Sequence, residues 1–158
     1  MENIKTLNPE WIKVVKSAVN VSPYFTLQVM TVEELSFGKS RLEIDLRKDH
    51  LQPFGFVHGG VFAGLIDAAG FWAVFSQADS EVGMTTVELK INYLAPAVSG
   101  KLIGLGNCIK LGRNLGLGEA RVENEDGRLL AHGTTTLIVQ PNLNMADQEG
   151  YPSKFISG

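Results

Sequence analysis

From Val61 to Phe75 the chain reads VFAGLIDAAGFWAVF, a helical run that is apolar on every side. Such a helix has to be covered all round. A bilayer cannot supply the cover: a spanning helix needs about 20 residues, and this run is shorter and carries Asp67. The cover must come from protein. Asp67 is the second constraint, because an ionised carboxylate taken out of water without a partner is costly, and chains rarely put one there.

The remaining segments read as elements that can wrap such a helix. Asn8-Pro9-Glu10 is a helix start, with a capping Asn, Pro at the first turn and an acid at the positive dipole end. Trp11, Val14, Val15 and Val19 follow at helical spacing and predict a short amphipathic helix over 9–19. Strands are expected near 25–35 and 40–47; in the second, Leu42, Ile44 and Leu46 alternate with Arg41, Glu43, Asp45 and Arg47. The loop HLQPFGFVHGG leads into the long helix at about 59–77. The next strand has period two, with Val87, Leu89, Ile91 and Tyr93 on one face and Thr86, Glu88, Lys90 and Asn92 on the other. Three more strands fall near 100–112, 115–124 and 129–139, with turns at Gly112-Arg113-Asn114 and Glu125-Asp126-Gly127. The tail over 141–158 is polar and reads as an extended surface segment. This order predicts an α+β chain: one domain over 1–158, with a curled antiparallel β-sheet wrapped around one long central helix. A second copy of the chain is expected to cover what the sheet leaves open, which makes the protein an oligomer.

Composition excludes several functions. Of the 158 residues, 44% are hydrophobic and 20% charged, the balance of a soluble globular domain. The net charge is −3 and no Lys/Arg run is long enough for a nucleic-acid footprint, so no nucleic-acid partner is expected. A lone cysteine, Cys108, and an N-terminus without a signal-peptide pattern point to a cytoplasmic protein with no membrane segment. Gly38-Lys39-Ser40 lacks the earlier glycine of a phosphate loop, where Glu33 stands, and Gly104-Leu105-Gly106 lacks the third glycine of a dinucleotide fingerprint. No Gly-x-Ser-x-Gly elbow occurs. His50, His58 and His132 have no ligand spacing, so no metal is expected.

The helix opens with His58-Gly59-Gly60. A helix N-terminus presents unpaired N–H groups and positive dipole charge, and glycine lets a ligand reach that backbone closely. The two glycines serve either to bind a polarised carbonyl oxygen there or only to permit tight packing. Asp67 lies eight residues beyond Gly59, about 12 Å along the helix. That separation is poor for joint action within one chain, but two antiparallel helices in a symmetric dimer set Asp67 of one near Gly59 of the other. The alternative is a structural Asp bonded to neighbouring backbone or hydroxyls.

HGGVFAGLIDAAG followed by TTVELKINYLAPA resembles the hotdog-fold acyl-CoA thioesterases of the phenylacetate-degradation (PaaI-like) type, over roughly residues 22–140. The resemblance implies hydrolysis of an acyl- or aryl-CoA thioester to free acid and CoA, with no cofactor beyond the substrate's own coenzyme A. It implies that the Gly59 N–H binds the thioester carbonyl oxygen, helped by the Gln52 side chain. Asp67 from the partner chain is then general base or nucleophile, Thr86 positions Asp67 or the water, and His58 orients the loop near the sulfur. Gly60 joins the substrate-binding residues, with Arg113 and Asn114 at their exposed turn as candidates for the CoA phosphates and Lys90 as a further one. A homodimer with sites at its interface is implied, commonly doubled into a homotetramer.

The chain departs from that pattern twice. Gln52 stands where Asp-type members more often carry Asn, and Ala95 where many carry a basic residue. Phe54, Phe56, Phe71, Trp72 and Phe75 line either an acyl pocket or the core. Two other activities suit the same frame: acyl-thioester hydration or dehydration, and acyl-CoA binding without catalysis.

Overall fold

In the computed structural model, which describes residues 5–145 and 148–156, a short strand β1 (Thr6–Leu7) precedes helix α1 (Pro9–Asn20). The Asn8 side-chain oxygen accepts from the Glu10 N–H at 3.0 Å, which is the cap its spacing predicts. Trp11, Val15 and Val19 form the buried stripe. The strand expected from residue 25 does not begin there. Residues Pro23–Gln28 form a second helix, α2, although Tyr24, Phe25 and Thr26 favour strands. Pro23 in the first turn presets the helical φ, and Val29 at φ 53° ends the helix, so strand β2 starts only at Met30.

Strands β2 (Met30–Ser36), β3 (Lys39–Asp45), β4 (Val82–Tyr93), β5 (Lys101–Leu111), β6 (Leu115–Glu123) and β7 (Leu129–Pro141) make one antiparallel sheet, ordered β2-β3-β5-β6-β7-β4. Helix α3 (Gly59–Phe75) lies against this sheet and touches all six strands. Leu65, Ile66, Ala69, Ala73 and Val74 are fully buried beneath it. The close approach explains two of the strand glycines: a Cβ on Gly106 would overlap the Ala69 carbonyl, and one on Gly118 would stand 2.8 Å from the Gly70 carbonyl. No helix among the described residues is long and apolar enough to cross a membrane.

Two local features differ from the periodic reading. A β-bulge between Thr86 and Glu88 interrupts β4. It breaks the expected alternation, leaving Val87 exposed and turning Thr86 inward, onto the side of buried Met84. The tail also returns to the domain. Phe155–Ile156 forms strand β8, paired with β1, and Lys154 is buried. Its ammonium donates to the carbonyls of Phe75 (2.6 Å) and Ala78 (2.7 Å) and sits 4.0 Å from the Phe75 ring. The last carbonyls of a helix lack intrahelical partners and attract positive charge, which gives this lysine its place.

Candidate active site

The site begins in the loop ahead of α3. Leu51 bridges Val57, and Gly55, at φ 84°, closes a tight turn with its N–H on the Gln52 carbonyl. The Gln52 carboxamide oxygen accepts from the Phe54 N–H at 2.5 Å, leaving its NH2 as a donor. His58 caps α3: its Nδ1 accepts from the Gly60 N–H at 2.8 Å, and its carbonyl takes the Val61 N–H. These bonds sort the helix-start donors. The Gly60 N–H is engaged by His58. The Gly59 N–H has no acceptor among the described residues. Gly59 lines a cavity of about 400 Å³ together with Gln52, Phe56, Phe62, Tyr93 and Leu94.

Asp67 projects from the middle of α3 and is only partly buried. Its Oδ1 accepts from Thr86 Oγ1 at 2.8 Å and from Thr135 Oγ1 at 3.2 Å. Its Oδ2 has no protein donor among the described residues. The carboxylate is thus held by one oxygen and presents the other. Thr86 reaches it because of the bulge, from the face opposite to the one its alternation predicts. Thr135 is fully buried on β7. Tyr24, on α2, stands so close to Gly64 that a Cβ there would overlap its hydroxyl. Burial raises the Tyr24 phenol's pKa, and the charge of Asp67 adds to the effect.

Sequence reasoning missed Thr135, Tyr24 and Tyr93. Tyr93 shares a strand face with Val87, Leu89 and Ile91 in the alternation, and its hydroxyl donates to the Gly59 carbonyl at 3.3 Å. Only the Thr134-Thr135-Thr136 run inside a mostly apolar strand signals Thr135. Within one protomer, Lys90 on β4 and Arg113 and Asn114 at the β5–β6 turn do not line the Gly59 cavity. Arg113 and Asn114 are exposed, and the Asn114 carbonyl accepts from the Val139 N–H at 2.8 Å.

Solved structures share this wrapped-helix frame. A Haemophilus influenzae thioesterase superposes with a TM-score of 0.78 at 21% identity, over 92% of this chain and 99% of its own. A thioesterase family protein from Silicibacter pomeroyi does so at 0.75 and 27% identity, over 83% and 98%. The fold is the hotdog fold, in its α+β form with one central helix. In sequence, residues 54–131 match the Thioesterase superfamily. A Haemophilus influenzae protein provisionally named an esterase is 35% identical over 112 residues, covering 68% of this chain and 80% of that protein. The 1,4-dihydroxy-2-naphthoyl-CoA hydrolase of Listeria monocytogenes is 24% identical over 114 residues, or 72% of this chain and 90% of that protein. The chain belongs to the thioesterase superfamily and is a thioester hydrolase.

Proposed function

We propose that the chain hydrolyses an acyl-CoA thioester at a site built by two protomers. The observation that carries this reading is the unpaired Gly59 N–H at the positive end of α3, in one cavity with Gln52. Two such donors suit a thioester carbonyl oxygen and stabilise the oxyanion that forms when it is attacked. Asp67 lies about 12 Å further along the same helix, beyond reach of a water attacking that carbonyl. The edge strand β4 offers a solution. Its outer side is unpaired over a long run and carries exposed Val87, which makes it a template for another strand. Antiparallel pairing of two β4 strands about a twofold brings the Tyr93 end of one beside the Met84 end of the other. Asp67 of the partner subunit then faces the Gly59 cavity.

In this reading Asp67 Oδ2 takes a proton from water as the water oxygen bonds to the thioester carbon. The Gly59 N–H and the Gln52 NH2 hold the negative oxygen. Collapse breaks the C–S bond, and the CoA thiolate leaves and takes up a proton. Direct attack by Oδ2, giving an anhydride that water opens, uses the same atoms. Arg113 binds the CoA phosphates.

Complementation between two variants tests the shared site. Asp67→Asn and Gln52→Ala are each expected to lose about 10²–10⁴ in kcat with the fold retained. Mixed dimers hold one intact site in two, so random mixing restores about a quarter of the wild-type rate. Mixed dimers without recovery refute the two-protomer site, and a fully active Asp67→Asn refutes the role of the carboxylate.

A further inference from the structure

A second cavity, of about 250 Å³, lies beside the C-terminal half of α3. Its walls include Phe71, Trp72, Phe75, Met84, Leu143 and Met145. Its position follows from two periodicities. Phe71 and Phe75 stand four and eight residues beyond Asp67, on the same face of α3. Met84 stands two residues before Thr86, on the same side of β4. One step along the helix and one along the strand therefore lead from the Asp67–Thr86 pair into this chamber.

The chamber's composition is specific. Phe71 and Trp72 meet edge to face at 5.3 Å, Trp72 and Phe75 likewise at 5.6 Å, and Phe71 stacks on Phe75 at 5.5 Å. Such an array presents ring edges and faces in fixed positions. Met84 and Met145 add polarisable sulfur. The far wall comes from the segment after β7, which lies outside the matched region 54–131. The Leu143 backbone and side chain press on β4 where Gly83 has no side chain: a Cβ there would stand 2.5 Å from the Leu143 carbonyl oxygen.

We infer that this chamber receives the acyl group of the thioester and that Leu143 and Met145, from the segment after β7, set the size of group it takes. An apolar cavity of about 150 Å³ holds a benzene ring, so this one takes a single ring with a short spacer, or a short to medium acyl chain. The inference rests on the thioester hydrolysis proposed above.

The test is kcat/KM for acetyl-, hexanoyl-, benzoyl- and dodecanoyl-CoA in three variants. Met84→Trp fills the chamber and lowers the hexanoyl-to-acetyl and benzoyl-to-acetyl ratios by about tenfold or more. Leu143→Ala opens the far wall and raises the dodecanoyl-to-hexanoyl ratio about tenfold. Because Leu143 is partly exposed, that variant stands as an independent test should Met84→Trp misfold. Leu94→Trp fills the cavity at Gly59 instead. If it alone shifts the acyl preference, the acyl group lies there and the inference is overturned. Unchanged ratios in Met84→Trp and Leu143→Ala, with wild-type turnover intact, also overturn it. A wild-type protein inactive on every thioester refutes the hydrolase reading itself.

Discussion

Replacing Thr135 with Val should slow turnover about tenfold while leaving the fold intact. The hydroxyl lies on β7, fully buried, and donates to Asp67 Oδ1 at 3.2 Å across 68 residues of sequence. Valine keeps the volume and removes only the donor. Hydrogen bonds to charged groups contribute about 1.5–3 kcal/mol. The 3.2 Å separation is long for an O–H···O bond, which favours the lower end. Water cannot take the place of the lost donor at a fully buried position, so the loss is not recovered. About 1.5 kcal/mol corresponds to roughly a tenfold change in rate. The assay is thiol release from an acyl-CoA under kcat conditions, beside a thermal melt. Thr136→Val is the matched control, since its hydroxyl donates to exposed Glu88 at 3.2 Å on the other side of the same strand. A double-mutant cycle with Asp67→Asn should be strongly non-additive, because the hydroxyl acts only through the carboxylate. A Thr135→Val protein with kcat within twofold of wild type, or one no slower than Thr136→Val, refutes the positioning argument.

Three further outcomes are expected. Burial pushes the Lys154 ammonium down from 10.5 to about 7. The unfolded chain keeps that proton to higher pH, so it binds more protons across this window and stability rises with pH. The melting temperature of wild type should therefore climb relative to Lys154→Met from about pH 7.5 to 9.5, and a flat or falling difference contradicts the burial of the charge. Arg113→Ala should raise KM for an acyl-CoA about tenfold but leave KM for the matching acyl-pantetheine, which lacks the nucleotide phosphates, nearly unchanged. Equal effects on both substrates place the arginine elsewhere. Gly118→Ala inserts a methyl 2.8 Å from the Gly70 carbonyl, and should cost about 1–3 kcal/mol and lower the melting temperature by about 3–10 °C. A change below 1 °C means that helix and sheet separate without cost.

Much of the frame was legible in the sequence because local patterns carry it. An apolar run with no polar side demands a wrapping sheet whatever the order of strands, and α3 lies where that run predicts. His58-Gly59-Gly60 marks the helix start by local chemistry alone, since a cap and its N–H lie two residues apart. The carboxylate at Asp67 stood out because burial there is costly. The partners of these groups were not legible. Thr135 reaches Asp67 only through the pairing of β7, and Tyr24 reaches Gly64 on the same helix only through the packing of α2, which no short window contains. The bulge that turns Thr86 inward is a defect in a period of two, and an alternating sequence cannot announce it. Lys154 reads as a polar tail residue until the open carbonyls at the end of α3 give its ammonium a buried place. Sequence by itself determined what had to be covered and where a helix had to begin; tertiary structure alone decided which distant groups meet, because their contacts depend on the whole chain closing around α3.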